Sequence, residues 1–165
     1  MSTLVTYMST TGNTQMIADS IFEAVPGKKE IKPMDEVKNL DGYDLVFVGF
    51  PVNSGGAPKK AQEFLKDKAA GKKIALFVTH AMSPEAPPLQ GIINNCRAAA
   101  EGANLAGFFS CQGVLDKDLA TKLMSSPDPA MRMFGEQRHL TTGHPDAADR
   151  SRARAFAKEI ASGNE

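Results

Sequence analysis

Ser9, Thr10, Thr11, Gly12, Asn13 and Thr14 form an unbroken polar run directly after the apolar Leu4-Val5-Thr6-Tyr7 and just before a segment of helical period. Hydroxyls, a glycine and the exposed N–H groups of a helix start can together surround a phosphate, and the helix dipole adds partial positive charge there. The run contains neither lysine nor arginine. Nucleotide-hydrolysing P-loops use Gly-x-x-x-x-Gly-Lys to reach the outer phosphates and hold magnesium, whereas hydroxyls and amides alone suit one terminal monoester. A mononucleotide is the implied ligand; the competing reading is a polar turn with a helix cap and no ligand.

Two more loops follow apolar runs. Pro51, Val52, Asn53, Ser54, Gly55 and Gly56 come after Leu45 to Phe50, and adjacent glycines permit positive φ, close approach to a flat ligand and rotation of a peptide at low cost. Thr79, His80, Ala81 and Met82 come after Ile74 to Val78, where His80 can donate to a ligand carbonyl or simply bond to backbone. No side chain in these loops is singled out as catalytic. Cys96 and Cys111 stand alone, without Cys-x-x-Cys or a metal-ligand spacing, and are expected to be buried, reduced thiols.

The elements that must position these loops are legible as alternating apolar runs and helical stripes, the pattern of β-α-β units around a parallel sheet. Leu4 to Tyr7, Leu45 to Phe50, Ile74 to Val78 and Leu105 to Phe109 are apolar enough for central strands, while the more polar Lys29-Glu30-Ile31-Lys32 suits an edge. Ile17, Ala18, Ile21, Phe22 and Val25 mark one helix, ended by Gly27; Asp19 and Glu23 face water. Pro58 opens a second, with Ala61, Phe64 and Leu65 inward. Leu89 to Ala100 makes a third, and Asp149 to Ala161 closes the chain, for five strands and four or five helices. Leu115 to Asp146 breaks the alternation: it is rich in Met, Ser, Pro and Gly, with short helices expected around Leu119 to Met124 and Ala130 to His139. It is too long for an ordinary connection and suits either a satellite of the core or a lid or partner surface.

With 165 residues and 19 Lys+Arg against 19 Asp+Glu, a single domain over 1–165 is expected. No apolar run approaches the roughly 20 residues a membrane span needs, and the start lacks a basic region with a long apolar stretch, so a cytoplasmic protein without membrane contact is expected. Balanced charge removes the electrostatic basis of nucleic-acid binding. The Arg150-Ser151-Arg152-Ala153-Arg154 run is read as a solvated helix face.

Ser9 to Thr14 after Leu4 to Tyr7 resembles the phosphate loop of flavodoxins, which bind flavin mononucleotide (FMN), and the similarity extends to Tyr43-Asp44-Leu45-Val46-Phe47-Val48-Gly49 and its glycine loop. The resemblance implies an α/β, flavodoxin-like three-layer α/β/α sandwich with a five-stranded parallel sheet ordered 2-1-3-4-5. It implies that Ser9 to Thr14 hold the FMN phosphate and that Pro51 to Gly56 and Thr79 to Met82 flank the flavin ring. The second and third loops carry Val52, His80 and Met82 where flavodoxins usually place aromatic residues.

The function expected from this resemblance is electron transfer by bound FMN between redox partners. An FMN-dependent NAD(P)H oxidoreductase reducing a quinone or other small acceptor is the alternative; with no Gly-x-Gly-x-x-Gly after a strand, its hydride donor would have to stack on the flavin itself. A phosphorylated receiver domain would need acidic residues where Ser9 and Pro51-Val52-Asn53 stand.

Overall fold

The computed structural model describes residues 1–163. Five parallel strands, β1 (Ser2–Tyr7), β2 (Lys28–Pro33), β3 (Leu45–Pro51), β4 (Lys73–His80) and β5 (Asn104–Gln112), form one sheet in the order β2-β1-β3-β4-β5. Helices α1 (Asn13–Ala24) and α6 (Ala147–Ser162) cover one face, and α2 (Lys59–Lys68) and α3 (Leu89–Ala98) the other. The expected three-layer sandwich and strand order are both present.

Strand alternation explains why both faces are apolar. Val46, Val48 and Phe50 enter one core with Ile74, Leu76 and Val78, while Leu45 and Phe47 enter the opposite core with Ala75 and Phe77. A strand that sends apolar side chains both ways needs helices on both sides. Gly49 belongs to the second set: a Cβ there would lie 2.0 Å from Phe77 Cε2, so the Phe77 ring fills the room its neighbour lacks. Cys96 and Cys111 are buried and free, as expected, and burial pushes their thiols up to about 11 and about 12.

Several boundaries differ from the sequence expectation. α1 stops at Ala24 rather than at Gly27, because Val25 precedes a proline and turns extended. Lys29 then donates to the carbonyls of Phe22 (2.7 Å) and Val25 (2.9 Å), satisfying groups that a helix end leaves open. α6 begins at Ala147 rather than Asp149: Asp146 accepts from the Asp149 N–H at 2.8 Å and Asp149 accepts from the Asp146 N–H at 2.9 Å, a reciprocal cap. β5 runs to Gln112, three residues past the apolar run, since an edge strand can carry Ser110 and Gln112.

The long segment after β5 folds into α4 (Lys117–Met124), α5 (Pro129–Glu136) and a 3₁₀ turn over Gln137–Leu140, which raises the described α-helices to six. Gly135 lets α5 approach α4 closely, since a Cβ would sit 2.7 Å from the Ala120 carbonyl. The hairpin leaves Leu119, Met124, Met131, Met133 and Leu140 exposed. The arginine run is a helix face with partners on its own side of the sheet: Arg150 donates to Ser20, Arg152 to Asp149 and Arg154 to Glu23.

Candidate functional site

The three loops singled out in the sequence all leave carboxyl ends of strands, and hydrogen bonds tie them into one rim. Thr14, in the first turn of α1, shares a 2.8 Å hydroxyl–hydroxyl bond with Thr79 at the end of β4. Val52 donates to the Thr79 carbonyl at 2.8 Å, and Met8 donates to the Gly49 carbonyl at 3.0 Å. First, second and third loops are thereby held against one another.

Within the first loop, Gly12 adopts φ 95° and ψ −10°, the left-handed conformation that starts α1 without a side-chain cap. Ser9 Oγ accepts from the N–H groups of Gly12 (3.1 Å) and Gln15 (3.3 Å). The N–H groups of Asn13 and Thr14 find no protein acceptor among the described residues, as the first turn of a helix dictates. The hydroxyl-bearing Thr10 and Thr11 are exposed beside them. The loop thus combines neutral donors with the positive end of a helix, an arrangement suited to an anion.

In the second loop, Asn53 and Gly56 exchange two backbone hydrogen bonds, Asn53 N–H to Gly56 O at 2.9 Å and Gly56 N–H to Asn53 O at 3.1 Å. Ser54 (φ 50°) and Gly55 (φ 78°) are both left-handed between them, the mark of a type I′ turn. A cavity of about 570 Å³ lies beside this turn, toward α3, and is lined by Asn53 to Lys59 with Gln62, Asn95, Ala98 and Ala99. No residue of the first or third loop lines it, so it opens on the outer side of the turn.

The third loop carries His80, 8 % exposed. Its Nδ1 is sealed from solvent and has no hydrogen-bond partner among the described residues. Burial lowers its pKa below the ordinary imidazole value, opposed by the Met82 backbone and the Asp149 carboxylate. A buried ring nitrogen without a protein partner is an open hydrogen-bonding position at the end of β4. Ala81 and Met82 follow, half-buried.

The sequence reading missed a fourth contributor. Gly113 donates to the His80 carbonyl at 2.7 Å, and Asn13 Nδ2 donates to the Val114 carbonyl at 3.0 Å. A Cβ on Gly113 would lie 2.6 Å from Asn13 Nδ2, so only glycine allows this approach to the start of α1. Placing the end of the last strand at Gln112 would have exposed the signal. Asn95, on α3, is a second omission: its Nδ2 donates to the Gly55 carbonyl at 3.0 Å.

His144, Asp146 and Asp149 also lie together behind this rim. Their contacts are those of the α6 cap, with His144 Nδ1 2.8 Å from Asp149 Oδ2.

A strand order of 2-1-3-4-5 with loops gathered at one end is shared by many chains, so comparison with known proteins narrows the field. The profile of the flavodoxin domain family matches residues 4–158. The flavodoxin-like domain-containing protein BilS of Clostridioides difficile (strain CD3) is 32% identical over 170 residues, covering 97% of this chain and 96% of that protein. Among solved structures, a flavodoxin of Streptococcus pneumonia TIGR4 superposes with a TM-score of 0.63 at 15% identity, over 99% of each chain. A flavoprotein of Lactobacillus acidophilus NCFM, solved in complex with FMN, gives a TM-score of 0.53 at 20% identity, over 73% of this chain and 97% of that one.

Proposed function

The chain belongs to the flavodoxin domain family, and from that premise we propose that it binds FMN at the joined loop rim and moves electrons between redox partners. Bound FMN supplies the one- and two-electron chemistry, which the protein orients and tunes. The observation that carries the reading is the Thr14–Thr79 bond, which ties the neutral phosphate-type loop to the third loop, itself tied to the second through the Val52 N–H and the Thr79 carbonyl.

In this reading Ser9, Thr10, Thr11, Gly12, Asn13 and Thr14 receive the phosphate through hydroxyls and N–H groups, with no lysine required. Pro51, Val52, Asn53, Ser54, Gly55 and Gly56 lie along one side of the ring; Thr79, His80, Ala81 and Met82 lie along the other. The residues fit such a group: among the described residues the N–H groups of Asn13 and Thr14 find no protein acceptor and His80 Nδ1 no hydrogen-bond partner. The exposed Met124, Met131 and Met133 follow the same end of the sheet and offer adaptable apolar surface to a partner protein.

A second reading has a specific observation in its favour. Neither flanking loop contains an aromatic residue, so side chains cover a ring there only thinly, and a small acceptor or a nicotinamide gains access. The chain would then be an NAD(P)H oxidoreductase acting on a quinone or similar acceptor.

Purified protein scanned in the visible range and titrated with FMN tests the common premise: yellow protein and quenching of flavin fluorescence are expected, and a colourless protein that leaves FMN fluorescence unchanged defeats both readings. Steady-state NAD(P)H oxidation with a quinone then separates them, turnover favouring the enzyme and its absence the carrier.

A further inference from the structure

Resting on the flavin reading above, we propose that Asn95 is a positioning residue that latches the Gly55–Gly56 peptide in one orientation and so sets how readily this peptide turns toward a cofactor. Both polar groups of that peptide are engaged. Its carbonyl accepts from Asn95 Nδ2 at 3.0 Å, and its N–H donates to the Asn53 carbonyl at 3.1 Å.

Sterics do not hold the peptide. It has a glycine on each side, so neither adjoining dihedral meets a Cβ barrier. A Cβ on Gly55 would meet nothing within 4 Å, and the cavity of about 570 Å³ lies alongside. The turn also tolerates change unevenly. Turning this peptide changes ψ of Gly55 and φ of Gly56, both glycine dihedrals, and leaves Ser54 at its φ of 50°, a region unfavourable to a residue with a side chain. Rotation is therefore easiest at the glycine pair, and the hydrogen bonds decide its resting state.

One of those bonds belongs to the turn itself. The other reaches in from α3, 40 residues along the chain, and has no backbone reason to exist. Asn95 is exposed, so its bond competes with water; a bond of this kind biases a two-state equilibrium by about three- to ten-fold. That strength holds the carbonyl toward α3 when nothing else asks for it and yields to a ligand donor placed on the opposite side. Asn95 would then favour the state of the cofactor that makes no demand on the Gly55 carbonyl.

Two variants separate latching from packing. Asn95→Ala removes the side chain, while Asn95→Asp keeps its shape and loses its donor. In the cofactor-free protein, amide hydrogen exchange followed by NMR should show Gly56 N–H exchanging about three- to ten-fold faster in both variants, with the rest of the sheet unchanged. If Asn95 only packs against Gly56, whose added Cβ would lie 3.4 Å from Asn95 Cβ, Asn95→Asp keeps the wild-type rate and the latch is refuted. With FMN bound, the first one-electron midpoint potential should rise in Asn95→Ala, which adds no charge; faster exchange with an unmoved potential in that variant overturns the link to the cofactor. Failure of the wild-type protein to bind FMN sinks the functional reading instead, and the exchange measurement still judges the latch.

Discussion

Thr14 and Thr79 join their hydroxyls at 2.8 Å although 65 residues separate them, and each side chain is almost sealed from solvent. The bond fixes the start of α1 to the end of β4, which sets the distance between the first and third loops. Removing one partner leaves the other buried and unpaired, a loss of about 1–3 kcal/mol, whereas removing both replaces a polar pair by apolar groups of similar shape. Thr79→Val is therefore expected to destabilise the cofactor-free protein by about 1–3 kcal/mol in urea unfolding, and Thr14→Val/Thr79→Val by clearly less. A double variant as unstable as the sum of the singles would mean that the hydroxyls do not act as a pair.

Thr11 tests the anion reading. Its side chain is exposed on the loop that starts α1, so substitution disturbs little of the core. Thr11→Asp places a carboxylate where a doubly charged phosphate would sit, and unlike the native hydroxyl it repels that group. FMN affinity measured by fluorescence quenching should fall at least about 100-fold, equivalent to about 2.7 kcal/mol. Equal affinity for wild type and variant would place the phosphate elsewhere.

The strands and the three loops were legible because each rests on local pattern: unbroken apolar runs for strands covered on both faces, Pro58 for the start of α2, a glycine pair for the second turn; the strand order was implied by the resemblance of the first loop and its surroundings to flavodoxins, not by any local pattern. The rest depended on contacts distant in sequence. Nothing around Lys29 announces that its ammonium will close the end of α1, and nothing around Asn95 announces a bond to Gly55. Met34, Val37 and Leu40 enter the core from the connection between β2 and β3, where only a short 3₁₀ turn over Met34–Glu36 forms and polar neighbours mask the buried positions. The end of β5 was obscured because Ser110 and Gln112 are polar yet paired with Val78 and His80.

His80 makes stability depend on pH in a definite direction. Burial lowers its folded-state pKa below the ordinary 6.5, so on acidification the unfolded chain takes up the proton first. Stability is complete above the unfolded value and falls as pH drops from about 6.5 through the lowered folded value, at no more than about 1.4 kcal/mol per pH unit for one proton. Cofactor-free wild type and His80→Leu, unfolded in urea at steps from pH 8 to pH 5, should therefore diverge in slope, the wild type losing more on the acid side. Parallel curves would show that the imidazole is not held neutral by the fold.

Gly49 provides a separate check on the packing that supports the rim. It lies in the middle of the sheet, paired with Tyr7 on β1 and Phe77 on β4, and two residues before Pro51, where the second loop begins. An added methyl would fall 2.0–2.1 Å from the Phe77 ring, inside a core where Phe77 is itself fully buried and cannot swing to solvent. Overpacking of this kind costs about 1–3 kcal/mol, and the rigid ring places Gly49→Ala at the upper end. Shortening the obstacle should relieve it, so Gly49→Ala/Phe77→Leu is expected to be more stable than the two single effects added together. Simple additivity in urea unfolding would mean that the ring yields, and that the glycine at this position answers to something other than Phe77.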